Sequence, residues 1–79
     1  MPQVVRIGKF IIVIYTNDHA PAHVHVRFDD CDVRVLLSME TLSVDSMKGN
    51  PKNQDVRQAL AAVAANLTEC LAKWEELHG

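Results

Sequence analysis

Three of the four histidines, His19, His23 and His25, fall within seven residues. A neutral imidazole offers a nitrogen lone pair to a metal ion, and it can also exchange a proton close to neutral pH. On an extended chain, His23 and His25 lie two apart and share a face, close enough to serve one ion. His19 sits on the preceding segment, which Pro21 stiffens, and can close back over that face. Three imidazoles with an open fourth position would suit zinc or another borderline divalent metal. Asp18 is a further candidate ligand, or a partner that orients one ring. The competing reading makes these residues solvated polar positions on a half-exposed strand. No Cys-x-x-Cys pair and no His-Glu-x-x-His helix accompanies them.

The same stretch carries a second chemistry. Arg27 and Arg34 flank a turn rich in aspartate, and two guanidinium groups beside two imidazoles make a small anion-binding surface for a phosphate or an RNA backbone. Asp29, Asp30 and Asp32 can equally neutralise those arginines. Histidines near arginine could act as acid and base in RNA cleavage, but no residue here is fixed as a nucleophile. The expectation therefore leans to binding over catalysis. Cys31 reads as a bystander thiol and Cys70 as a small core residue. The glycines, Gly8, Gly49 and Gly79, are too scattered for a phosphate loop.

Strands must position these residues. Val4, Val5 and Ile7 end at Gly8, and Phe10-Ile11-Ile12-Val13-Ile14-Tyr15 runs apolar on both faces. That is the pattern of a central strand covered by a helix on one side and by another layer, such as a partner chain, on the other. Residues 16–22 are a loop by their turn formers. In His23-Val24-His25-Val26-Arg27-Phe28 the alternation puts Val24, Val26 and Phe28 on one face and His23, His25 and Arg27 on the other. With Asp29 to Asp32 as the turn, the expected register pairs Phe28 with Val33, Val26 with Val35 and Val24 with Leu37, and it sets Arg27 opposite Arg34. A short strand is expected around Thr41 to Val44, before the break at Gly49-Asn50-Pro51.

From Asn53 to Leu77 there is neither Gly nor Pro. Val56, Leu60, Val63, Leu67, Cys70, Trp74 and Leu77 recur at alternating spacings of three and four, one apolar helical stripe. Asn53 is the expected N-cap and Gly79 the C-terminal stop. Unbroken, the helix would run on the order of 36 Å, so it either breaks near Asn66-Leu67-Thr68 or overhangs the sheet to meet a second chain. The stripe also fits a heptad seam, with Trp74 and Leu77 as the end left over for a partner. The architecture expected is α+β: an antiparallel meander of three to four strands packed on a C-terminal helical layer.

With 79 residues, the chain is expected to form a single domain, residues 1–79. Eight Lys and Arg stand against ten Asp and Glu, a net charge of −2. Bulk charge does not favour nucleic acid, so a phosphate could be held only by a local patch. The longest apolar run falls far short of the roughly 20 residues of a membrane helix. Two cysteines without a secretory leader suit reduced thiols in the cytoplasm.

Taken together, the sequence resembles a small bacterial family known only as a domain of unknown function. Its signature runs Asp-x-x-His-x-x-Pro-His-x-His, and it closes on a helix of the form Glu-Leu-x-x-x-Trp. Arg6-Ile7-Gly8 and Phe10 to Tyr15 match its opening. Asp18-His19-Ala20-Pro21-Ala22-His23-Val24-His25-Val26 matches the signature, with Ala22 where a second proline or another residue is common. Glu69 and Trp74 match the closing helix, with Cys70 in place of leucine. The resemblance implies a partner-binding module paired with another small protein encoded nearby in a regulatory or toxin–antitoxin-like arrangement, and with the helix seam and the doubly apolar strand it leads to the expectation of a homodimer. It points to His19, His23 and His25 as the site.

Overall fold

A computed structural model describes residues 3–78, and the expected stop at Gly79 lies outside the described residues. Five strands come first: β1 (Gln3–Ile7), β2 (Phe10–Val13), β3 (His23–Phe28), β4 (Cys31–Leu36) and β5 (Ser43–Lys48). Two helices follow, α1 (Asn53–Ala65) and α2 (Leu67–His78). The sheet is an antiparallel meander in the order β1-β2-β3-β4-β5. The fold is α+β, with five strands where three to four were expected. The additional pairing comes from β5, which begins at Ser43 instead of Thr41 and runs on to Lys48.

Tight connections set this order. Gly8, at φ +58, supplies the left-handed residue in the two-residue turn that pairs Ile7 with Phe10. At the next hairpin the turn is only Asp29-Asp30. Asp29 takes φ 50, a conformation that a short polar side chain tolerates, and Cys31 already pairs with Phe28. Val26 therefore faces Val33, Val24 faces Val35, His25 faces Arg34 and Arg27 faces Asp32. The expected register is displaced by two residues, because the turn is two residues shorter than the aspartate run suggested. A two-residue displacement keeps every side chain on its face. Beneath the turn lies Gly49, where a Cβ would stand 2.9 Å from the Asp30 carbonyl oxygen and 3.1 Å from Cys31 Sγ.

The core lies between one sheet face and the helices. Phe10, Ile12, Ile14, Val24, Val26, Phe28, Val33 and Val35 are buried against Ala59, Ala62, Val63, Cys70 and Trp74. Each fully buried Val or Ile contributes roughly 1.5–3 kcal/mol by leaving water. β2 is covered on both sides within the single chain, since Ile12 and Val13 are both fully buried. Lys9 clamps one end of this layer: its Nζ reaches Asp29 at 3.2 Å and Asp55 at 3.3 Å. The hydrogen bonds that the ammonium donates to Asp29 and then to Asp55 raise its pKa above the usual lysine value.

The apolar stripe faces this core, with Val63, Cys70 and Trp74 buried and Leu60 and Leu77 packed at its edges. It breaks at Asn66, which takes φ −122 and ψ 23. Asn66 Nδ2 donates to the Ala62 carbonyl at 2.9 Å, and the Asn66 carbonyl accepts from Cys70 N at 2.9 Å. One residue thus closes the first helix and opens the second. The N-cap of α1 is Lys52, not Asn53, and its side chain makes no capping bond. Its carbonyl accepts the first helical hydrogen bond, from Val56 N at 3.0 Å, so Asn53 already lies inside the helix. Among the described residues, no helix is long and apolar enough to cross a membrane.

Burial, with a smaller push from Glu69, raises the Cys70 thiol from 9.0 to about 11. Between those values the unfolded chain releases a proton that the folded chain keeps, so stability falls as pH rises through that window and is untouched below it. Urea unfolding at pH 8 and pH 11 should show wild type losing roughly 2 kcal/mol more than Cys70→Ala. Equal losses in the two proteins would contradict this account.

Candidate metal centre

The polar side of β3 meets the loop before it at three side chains. One ligand atom each from Asp18, His23 and His25 lies within 4.8 Å of the other two. β3 supplies the histidines from alternate positions, which fixes both on the face opposite Val24 and Val26. The loop supplies Asp18, held by its own turn: Asp18 N donates to the Tyr15 carbonyl at 3.1 Å, and Tyr15 N donates to Asp18 Oδ2 at 3.3 Å.

Each ring has one nitrogen already committed. His23 Nδ1 lies 2.9 Å from the Pro21 carbonyl oxygen, and a carbonyl can only accept, so Nδ1 carries the proton. His25 Nδ1 donates to Asp32 Oδ1 at 2.9 Å. Both rings therefore present Nε2 lone pairs, and both point at the same oxygen: Asp18 Oδ2 is 3.1 Å from His23 Nε2 and 3.6 Å from His25 Nε2. His23 is 1% exposed, and its Nε2 is a buried polar atom with no hydrogen-bond partner despite the near carboxylate. Asp18 and His25 keep 19% and 17% of their side-chain surface, so the cluster opens to solvent on their side.

Aromatic rings wall it. Tyr15 meets His25 edge-on with centroids 4.8 Å apart. The Trp74 ring lies 5.1 Å from His23 on one side and stacks on His78 at 3.9 Å on the other.

Of the residues singled out in the sequence, His23, His25 and Asp18 come together. His19 is exposed and stands outside the cluster. The turn that draws Asp18 inward sends the next residue outward. Arg27 and Arg34 share the histidine face but do not oppose one another: Arg34 Nε lies 3.2 Å from Asp45 Oδ2, and Asp32 is the residue across from Arg27. Trp74 is buried and Leu77 is half-buried against the core. The sequence offers Asp32 only as a counter-charge to arginine, whereas the fold uses it to orient His25. The signal for that role was the Asp29-Asp30 pair acting as a complete two-residue turn, which brings Asp32 diagonal to His25.

Nitrogen NMR of the neutral histidines should show His23 and His25 both as Nδ1–H tautomers. Asp32→Ala should move His25 alone toward Nε2–H, and an Nε2–H form at either ring in wild type would refute the assignment.

A family model described as "Domain of unknown function (DUF4160)" matches residues 10–75, and the chain belongs to that family. No curated protein and no solved structure matches the chain.

Proposed function

We propose that this member of the DUF4160 family is a small metal-binding protein in which Asp18, His23 and His25 hold one divalent ion, zinc or another borderline metal. The observation that carries the reading is the convergence of two Nε2 lone pairs on one carboxylate oxygen, one of them buried and unpartnered. Acceptor facing acceptor at a buried nitrogen is unfavourable unless a metal ion or a proton lies between them. At metal–ligand lengths near 2.0–2.2 Å, two donors on a tetrahedral ion stand roughly 3.4 Å apart. The spacings of 3.1 and 3.6 Å bracket that value. The outer contacts also suit a metal: Asp32 and the Pro21 carbonyl fix the ring nitrogens that face away from it. Borderline divalent ions accept two imidazoles and a carboxylate and leave a position for water or another ligand.

Untagged protein reconstituted with zinc and dialysed should retain close to one equivalent by elemental analysis. Asp18→Asn and His25→Ala, at partly exposed positions, should retain almost none while melting near the apo wild type. A free ion at about 100 times its dissociation constant should raise wild-type stability by about 2.7 kcal/mol. Failure of wild type to bind, or undiminished binding by both variants, would remove the site.

A second reading, a module that docks another small protein in a regulatory or toxin–antitoxin-like pair, is favoured by an apolar groove between the first hairpin and α1. The groove encloses about 430 Å³ and is lined by Ile7, Phe10, Ala61, Ala62 and Ala65, with Ile7 38% exposed at its rim. Co-expression with the product of the neighbouring gene should yield a complex that Ile7→Glu disrupts. Separate elution of the two wild-type proteins would dismiss this reading.

A further inference from the structure

We infer that the sheet face turned away from the helices binds the phosphate backbone of single-stranded nucleic acid through Arg6, Arg27 and Lys48. The ladder brings them together from three distant places in the sequence. Arg6 pairs with Ile11, Ile11 with Arg27, Arg27 with Asp32 and Asp32 with Lys48. Residues directly opposite in antiparallel strands share a face, so these five side chains form one row across all five strands. At about 4.8 Å per strand the row is about 19 Å long, with a cation roughly every 10 Å.

Arg6, Arg27 and Lys48 are all exposed. The only acid in the row, Asp32, accepts from His25 Nδ1 in the neighbouring row. Arg34, beside His25 on the same face, is paired with Asp45 at 3.2 Å and adds nothing to the row. Other acidic groups are held away from the row: Asp29 and Asp55 are taken by Lys9, Asp45 by Arg34 and Asp18 lies over the histidines, while Glu69, Glu75 and Glu76 lie on α2. The net charge of −2 thus conceals a local excess of positive charge along this row, three cations against Asp32.

A straight row of evenly spaced point charges matches a linear polyanion with a repeating charge. The exposed large apolar side chains lie elsewhere: Ile7 and Met47 pair with Phe10 and Val33 on the other face, and Met39 lines a cavity with Leu60 and Leu67 of the helices, which leaves this row without anchors for a bilayer. The three cations all stand on strands, where an open sheet surface can track a single strand, whereas duplex readout usually takes an element inserted into a groove. The inference is independent of the metal reading, because none of the three cations belongs to the Asp18, His23 and His25 cluster.

The test is fluorescence anisotropy with a labelled uridine oligonucleotide of about 12 nucleotides, run in a chelator so that a failed metal site cannot affect the result. Three phosphate contacts predict a log–log salt slope of about −2, or roughly twentyfold weaker binding between 50 and 200 mM salt. Arg6→Glu/Lys48→Glu should weaken binding at least about tenfold with an unchanged melting temperature. Lys73→Glu, on α2, should leave binding as it is. No binding, salt-insensitive binding, an unaffected double variant, or equal affinity for duplex or anionic vesicles would overturn the proposal.

Discussion

The register of the β3–β4 hairpin is the constraint on which the rest of the polar face depends. Because the turn spends only Asp29 and Asp30, Phe28 meets Cys31 and every later pair follows. That pairing sets Asp32 within 2.9 Å of His25 and across from Arg27, and it leaves Arg34 to Asp45. Lengthening the turn by two residues would keep the core face apolar while breaking each of these polar relations. Gly49 guards the same turn from below, since any side chain there would collide with the Asp30 carbonyl. Hydrophobic burial alone chooses between the two faces; the turn chooses among registers that burial cannot distinguish.

His23 shows what the fold tolerates for the sake of its polar cluster. A histidine 1% exposed, with one ring nitrogen satisfied and the other facing a carboxylate outside hydrogen-bond geometry, costs stability that a Leu or Phe there would not. Such costs persist where the surrounding structure over-determines them, and here three elements do so. The Pro21 carbonyl holds Nδ1, the Tyr15–Asp18 turn holds the carboxylate, and Trp74 closes the side. A buried polar group without a partner in an otherwise apolar interior is where a ligand is expected.

Much of this was legible in the sequence. Alternation over residues 23–28 assigns both faces of β3, and the three-and-four spacing assigns the apolar side of the helices. Length left two choices for the helical stretch, a break near Asn66 or an overhang meeting a second chain, and the chain takes the break. His23, His25 and Asp18 were marked by type and spacing. What stayed hidden depends on contacts distant in sequence or on single dihedrals. Asp29 adopting a left-handed conformation shortened the turn, and Asp18 turning inward carried His19 out. The alignment of Arg6, Arg27 and Lys48 needs four consecutive strand registers, each fixed by its own connection. No local pattern contains that information.

Trp74 is the only tryptophan in the chain, and its ring lies between His23 and His78. The indole therefore views the polar cluster at van der Waals range and has no second copy elsewhere to dilute its signal. Its emission is a spectroscopic gauge that the fold carries within itself. A paramagnetic or heavy ion beside His23 would quench it, while unfolding would shift it to the red. Occupancy and integrity can thus be followed as two separate optical changes in one unlabelled sample.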